Sequence, residues 1–194
     1  MPPEEIEARS REVAREAVGV RWRGEEAELA ASILYASGDP GLAGDLRFSG
    51  DPVTAARAAL DRGCALLADV GMVAAGIRLP AERRVGVAVQ LAATGGGTTR
   101  AAAGIKAGWD GYGAGGVAVI GNAPTALLAV LDLAESCGAP ACVIATCPGF
   151  SIATDAKEAL FSSGLPYVAV AGTRGGSGLA AAAANYLLGP SRAR

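Results

Sequence analysis

Three short segments concentrate hydrogen-bond donors where an apolar run gives way to a helix. In the first, residues 117–127, Gly121 closes the apolar run, and Asn122, Pro124 and Thr125 fall in the next helix's first turn. The leading backbone N–H groups of a helix have no partner within it. A turn of this kind, with an amide and a hydroxyl beside it, suits a carboxylate or phosphate oxygen. The plainer alternative makes Asn122 an N-cap and Pro124 a helix starter. The second segment, residues 170–179, repeats the plan: Gly175 and Gly176 admit a ligand close to the backbone, Ser177 can cap, and Arg174 adds a positive charge. Neither segment has the Gly-Lys-Ser/Thr ending of a phosphate-binding loop or the spacing of a dinucleotide fingerprint, which argues against a nucleotide. The third, Thr94 to Arg100, sets threonine hydroxyls, Thr99 among them, and a guanidinium at the start of an Ala-rich helix. The planar five-donor fork of Arg100 matches a carboxylate, although a solvent-facing or internally paired arginine is the ordinary case. One ligand with several carboxylates could engage all three turns together.

Composition narrows the chemistry that such turns can serve. The 194 residues include no histidine, which excludes a Ser-His-Asp triad, a Cys-His pair and an imidazole general base. The net charge of -2 leaves no basic surplus for a phosphate backbone, so nucleic acid is not the expected partner. Cys64, Cys137, Cys142 and Cys147 form no CxxC pair, and the expected state is reduced, buried thiol. A four-thiolate zinc site is the rival reading. No run approaches the ~18 apolar residues of a membrane span. The first ten residues are charged where a signal peptide is apolar, so a soluble cytoplasmic protein is expected.

The length suits one domain, and the apolar pattern suggests how it is built. Alanine (44 residues) and glycine (28) dominate while aromatics are 5%, so the core must rest on small side chains and close backbones. Helices are expected over 3–18, from about 25 to 35, and from Pro52 to near Gly63 with Asp51 as N-cap. Apolar runs then alternate with helical stretches: 64–70, 85–89, 116–121, 141–146 and 167–172 as strands, and 98–108, 122–137, 153–163 and 176–188 as helices. Continuous rather than alternating hydrophobicity marks strands covered on both faces. The expected fold is therefore α/β, a single domain with a mainly parallel five-stranded sheet and helices on both faces. Ligands of such sheets gather at the strand carboxyl ends.

Read in order, several short motifs together resemble the precorrin-8X methylmutases, also called cobalt-precorrin-8 methylmutases or precorrin isomerases. They are Arg9-Ser10, Gly38-Asp39, Arg47-Phe48-Ser49, residues 69–77, Thr99-Arg100, residues 121–127, Pro148-Gly149-Phe150, Ala156-Lys157-Glu158 and Gly175-Gly176-Ser177. The resemblance runs from about residue 5 to 188, and Gly-Asn-Ala-Pro-Thr-Ala-Leu at 121–127 is its most specific piece.

The resemblance implies a homodimer with a tetrapyrrole in a cleft near the subunit interface. It implies an isomerase of cobalamin biosynthesis that moves a methyl group from carbon 11 to carbon 12 of the corrin-type ring. No cofactor or metal is implied, because the shift is intramolecular; holding the ring and adjusting its protonation would suffice. Tyr35 stands where relatives carry a histidine thought to donate to a ring nitrogen, and is the candidate catalytic residue. The substrate-binding residues implied early in the chain are Arg9, Ser10, Asp39 and Met72. Those implied later are Thr99, Arg100, Asn122, Thr125, Gly175, Gly176 and Ser177. Two other readings stand beside this one. One is a catalytically impaired paralogue that binds or carries a corrinoid; the other is a hydrolase using Cys147 or Ser151, for which no base is available.

Overall fold

The computed structural model describes residues 1–93 and 97–189, so Thr94, Gly95 and Gly96, which open the third donor-rich segment, lie outside the described residues. Three helices and a strand come first: α1 (Pro3–Val18), α2 (Gly24–Ser37), β1 (Leu46–Ser49) and α3 (Pro52–Asp61). Next are β2 (Leu66–Ala68), α4 (Gly71–Gly76), β3 (Val85–Val87), α5 (Ala88–Leu91) and α6 (Arg100–Gly108). The chain closes with β4 (Val117–Ile120), α7 (Pro124–Ser136), β5 (Cys142–Ala145), α8 (Ile152–Phe161), β6 (Tyr167–Val170) and α9 (Ser177–Leu188).

Local chemistry accounts for several of these boundaries. The Asp51 carboxylate accepts from the Thr54 N–H at 3.4 Å and Pro52 opens α3, as expected of a capped start. Gly38 ends α2 in the left-handed conformation with its N–H on the Leu34 carbonyl. Gly104 carries no side chain because a Cβ there would lie 1.7 Å from the Ala88 carbonyl oxygen, so α5 and α6 meet backbone to backbone.

The sheet has six strands, not the five expected, in the order β1-β6-β5-β4-β2-β3. β1 is the additional strand and pairs antiparallel with β6, while the other neighbours are parallel. Its four residues grade from buried Leu46 to exposed Ser49 and include Arg47, so it lacks the continuous apolar signature of the covered strands; it is a short edge. By contrast β4, β5 and β6 are buried throughout. Alternate residues feed two cores. Val117, Val119, Ile144 and Val168 pack under α1, α2, α3, α4 and α9, and Ala118, Ile120, Val143 and Ala169 pack under α5, α6, α7 and α8. Helices thus cover both faces. The short helices α4 and α5, and the widened turn at Trp109–Gly113, were not anticipated; each is too brief to carry a helical period.

A candidate binding groove and the turns around it

β2 lies between β3 and β4, so the chain leaves it to one side and returns on the other, which opens a crevice at its carboxyl end. The residue placed there is Asp69, fully buried. Its carboxylate accepts from three successive backbone N–H groups at the start of α7: Gly121 at 3.2 Å, Asn122 at 2.8 Å and Ala123 at 2.7 Å. Burial pushes its pKa up, and these donors pull it back in part. The turn expected to offer unpaired N–H groups to a ligand is therefore occupied by the protein's own carboxylate. Nor is Asn122 the cap of α7. Ala123 holds that position without a side-chain bond, and Asn122 is exposed.

Thr125 lies one turn further on, with its hydroxyl 2.7 Å from that of Thr99. Thr99 caps α6 by accepting from the Ala102 N–H, and the exposed Arg100 donates to the Val89 carbonyl at 2.8 Å. Thr99, Arg100, Asn122 and Thr125 thus form one group, on the starts of α6 and α7.

The glycine-rich turn before α9 also serves the protein's own backbone. A Cβ on Gly175 would lie 2.0 Å from the Thr146 carbonyl oxygen, and Gly176 donates to that oxygen at 2.6 Å. The contact requires glycine at 175, whereas Gly176 has open space where a Cβ would stand and is glycine for its backbone angle, φ 143°. Ser177 is buried, and the cap position falls on Gly176. Arg174 is held by Asp39, by Asp45 at 2.9 Å and by the Gly41 carbonyl at 3.3 Å. Beneath the turn the buried Lys157 donates to the Arg174 carbonyl at 3.2 Å, and burial lowers its pKa.

Tyr35 lies elsewhere, on the outer face of α2, 41% exposed, where it separates two adjoining cavities that both reach it. One, of about 710 Å³, is lined by Arg9, Ser10 and Asp39, with the apolar side chains of Val13 and Leu34. The other, of about 830 Å³, is lined by Arg11, Arg57, Arg78, Asn185 and Tyr186 together with Gly178 at the start of α9. The Arg11 guanidinium stands 4.9 Å from the Tyr35 ring centre and is tied to Glu7 by bonds of 2.8 and 3.0 Å. The Ser10 hydroxyl donates to the Ile6 carbonyl at 2.8 Å.

Of the expected site residues, Arg9, Ser10, Tyr35 and Asp39 are brought together along this groove. The group of Thr99, Arg100, Asn122 and Thr125 lines neither cavity, and neither does Met72, which is 73% exposed on α4. Sequence reasoning missed Arg11, Arg78 and Asn185. None of the three belongs to the motifs that carry the resemblance. As to the hydrolase reading, Cys147 is fully buried and burial pushes its thiol up to about 11, so it is no nucleophile at neutral pH. Cys142 is likewise buried, whereas Cys137 is exposed, contrary to the expectation for all four. No group of three metal-ligating side chains occurs among the described residues.

The family model described as Precorrin-8X methylmutase matches residues 5–189. A precorrin-8X methylmutase of Pseudomonas aeruginosa is 44% identical over 172 residues, covering 82% of each chain. A cobalt-precorrin-8 methylmutase of Methanothermobacter thermautotrophicus is 36% identical, covering 97% of this chain and 93% of that one. Among solved structures, the precorrin-8X methyl mutase of Thermus thermophilus superposes with a TM-score of 0.82 at 27% identity, over 94% of this chain and 95% of that one.

Proposed function

The chain belongs to the precorrin-8X methylmutase family, isomerases of cobalamin biosynthesis, and from that premise we propose how its groove performs the reaction. The substrate is precorrin-8X or cobalt-precorrin-8. A methyl group moves from carbon 11 to carbon 12, giving hydrogenobyrinic or cobyrinic acid. The observation that carries this reading is the pair of cavities, about 830 and 710 Å³, that adjoin at Tyr35 and are rimmed by Arg9, Arg11 and Arg78. Guanidinium groups suit the peripheral carboxylates of the ring, so a protein of net charge -2 can bind a polyacid through local donors.

In this reading Tyr35 is the catalytic residue. Its phenol, braced by the Arg11 guanidinium, donates a hydrogen bond to a ring nitrogen and biases the protonation state that rearranges. Positioning of the ring supplies most of the acceleration, and the shift needs no external cofactor. Arg9, Ser10 and Asp39 line the same groove, with Asp39 shared with Arg174. Met72, Thr99, Arg100, Asn122, Thr125, Gly175, Gly176 and Ser177 complete the proposed substrate-binding set, the last three chiefly by shaping the turn before α9.

We further propose a homodimer. What supports it is that the Arg100 group stands apart from the two cavities within one protomer, so a second copy is the simplest way to bring both groups to one ring. The whole chain, residues 1–194, acts as one methylmutase domain. A cytoplasmic location is consistent with a biosynthetic isomerase in which no described helix is long and apolar enough to cross a membrane. Incubation with precorrin-8X, followed by visible absorption, tests the activity: appearance of the hydrogenobyrinic acid spectrum is expected. Tight product binding without turnover would favour the corrinoid-carrying alternative.

A further inference from the structure

The larger cavity beside Tyr35 contains three guanidinium groups, from Arg11, Arg57 and Arg78. Two of them are already committed: Arg11 to Glu7 and Arg57 to Glu25. Arg78 differs. Among the described residues no carboxylate lies within ion-pair distance of its side chain.

The backbone that presents Arg78 is nonetheless fixed. The Asn185 side chain on α9 accepts from the Arg78 N–H at 2.7 Å and donates to the Gly76 carbonyl at 2.9 Å. One amide therefore ties both ends of the α4 exit, and Ile77 between them is buried. Gly76 itself packs so tightly on α9 that a Cβ there would lie 2.7 Å from the Ala181 methyl. A cation with no carboxylate partner among the described residues, on an immobilised backbone at the wall of a cavity, matches a carboxylate arriving with a ligand, because little ordering remains to be done when it binds.

We propose that Arg78, set by Asn185, anchors a peripheral acetate or propionate carboxylate of the tetrapyrrole and thereby selects the free acid over rings whose side chains are esterified or amidated. This deepens the proposed function and rests on its placement of the ring in this groove. Asn185 acts as a positioning residue and Arg78 as the binding one.

The test is a visible-absorption titration of the native protein, Arg78→Gln, Arg78→Lys and Asn185→Ala with hydrogenobyrinic acid and with its methyl-esterified derivative. Arg78→Gln is expected to weaken the acid about tenfold, a loss of one hydrogen-bonded charge pair, and to leave the ester unchanged. Arg78→Lys should recover only part, since an ammonium cannot fork to both oxygens. Asn185→Ala should move affinity for the acid in the same direction by less. Equal affinity of native protein and Arg78→Gln for the acid would overturn the inference while leaving the groove as the site. So would an equal loss for acid and ester with an unchanged thermal midpoint, which would make Arg78 a matter of shape. Failure of the native protein to bind either ligand would overturn both the inference and the reading it rests on.

Discussion

The Asp69 carboxylate lies 2.8 Å from the backbone nitrogen of Asn122 and occupies the helix start that would otherwise be the molecule's most obvious anion site. The backbone donors at the carboxyl end of β2 are thereby taken up from within, and the two cavities that meet at Tyr35 lie along α2 and α9 instead.

Removing Asp69 should accordingly act on stability first. Asp69→Ala strands three buried N–H groups, and a loss of about 3 kcal/mol is expected in urea unfolding. A loss under about 0.5 kcal/mol, the range of an ordinary surface change, would mean water replaces the carboxylate without cost.

The raised pKa of Asp69 has a definite pH consequence. Its folded value lies above the unfolded one, so the stability linked to its proton is complete below the ordinary carboxylate range and falls as pH rises through the raised value. Asp69→Asn carries no such proton. The urea midpoint of the native protein should thus fall more steeply with rising pH across that window than that of Asp69→Asn; parallel curves would contradict the assignment.

Tyr35→Phe deletes one hydroxyl from the 41%-exposed ring and keeps the ring under Arg11. Turnover of precorrin-8X should slow by about 10² or more while affinity for hydrogenobyrinic acid stays nearly intact. Full activity in the variant would show that the phenol has no chemical role.

Arg100 donates to the Val89 carbonyl from an exposed position, and among the described residues no other group takes its remaining donors. Arg100→Ala should weaken hydrogenobyrinic acid about tenfold by absorption titration. Unchanged affinity would remove the α6–α7 group from the site and with it the main support for a shared dimer cleft.

Three of the four thiols should separate by accessibility and charge. At pH 8 a disulfide reagent should label Cys137 quickly, whereas Cys142 and Cys147, buried and raised to about 12 and 11, should react only on unfolding. Both folded values exceed the ordinary one, so the stability these protons confer is complete below about pH 9 and is lost as pH rises toward 11. Rapid labelling of Cys147 in the folded protein would contradict its burial.

Much of the architecture was legible because covered parallel strands such as Val117–Ile120 and Cys142–Ala145 are apolar without interruption, a pattern that surface segments do not share. β1 escaped because Leu46–Ser49 is an edge strand of mixed polarity whose pairing with β6 spans more than a hundred residues. The donor-rich turns were legible as turns but not by partner. Nothing local to residues 121–123 announces that Asp69, some fifty positions earlier, fills their N–H groups. Gly175 is similar: its freedom is spent on Thr146, a contact that only the β5–β6 pairing creates. Tyr35, Arg9 and Asp39 came from the family resemblance. Arg78 and Asn185 were invisible because the bond between them joins α4 to α9 across the sequence.

The most direct test of the account is a single-turnover experiment in which purified protein is mixed with precorrin-8X, no metal or cofactor added, and the visible spectrum is followed. The account predicts conversion to the hydrogenobyrinic acid spectrum at a rate lowered by Tyr35→Phe. A substrate spectrum that persists while the protein still binds added hydrogenobyrinic acid would contradict it, and would leave a corrinoid carrier in place of an isomerase.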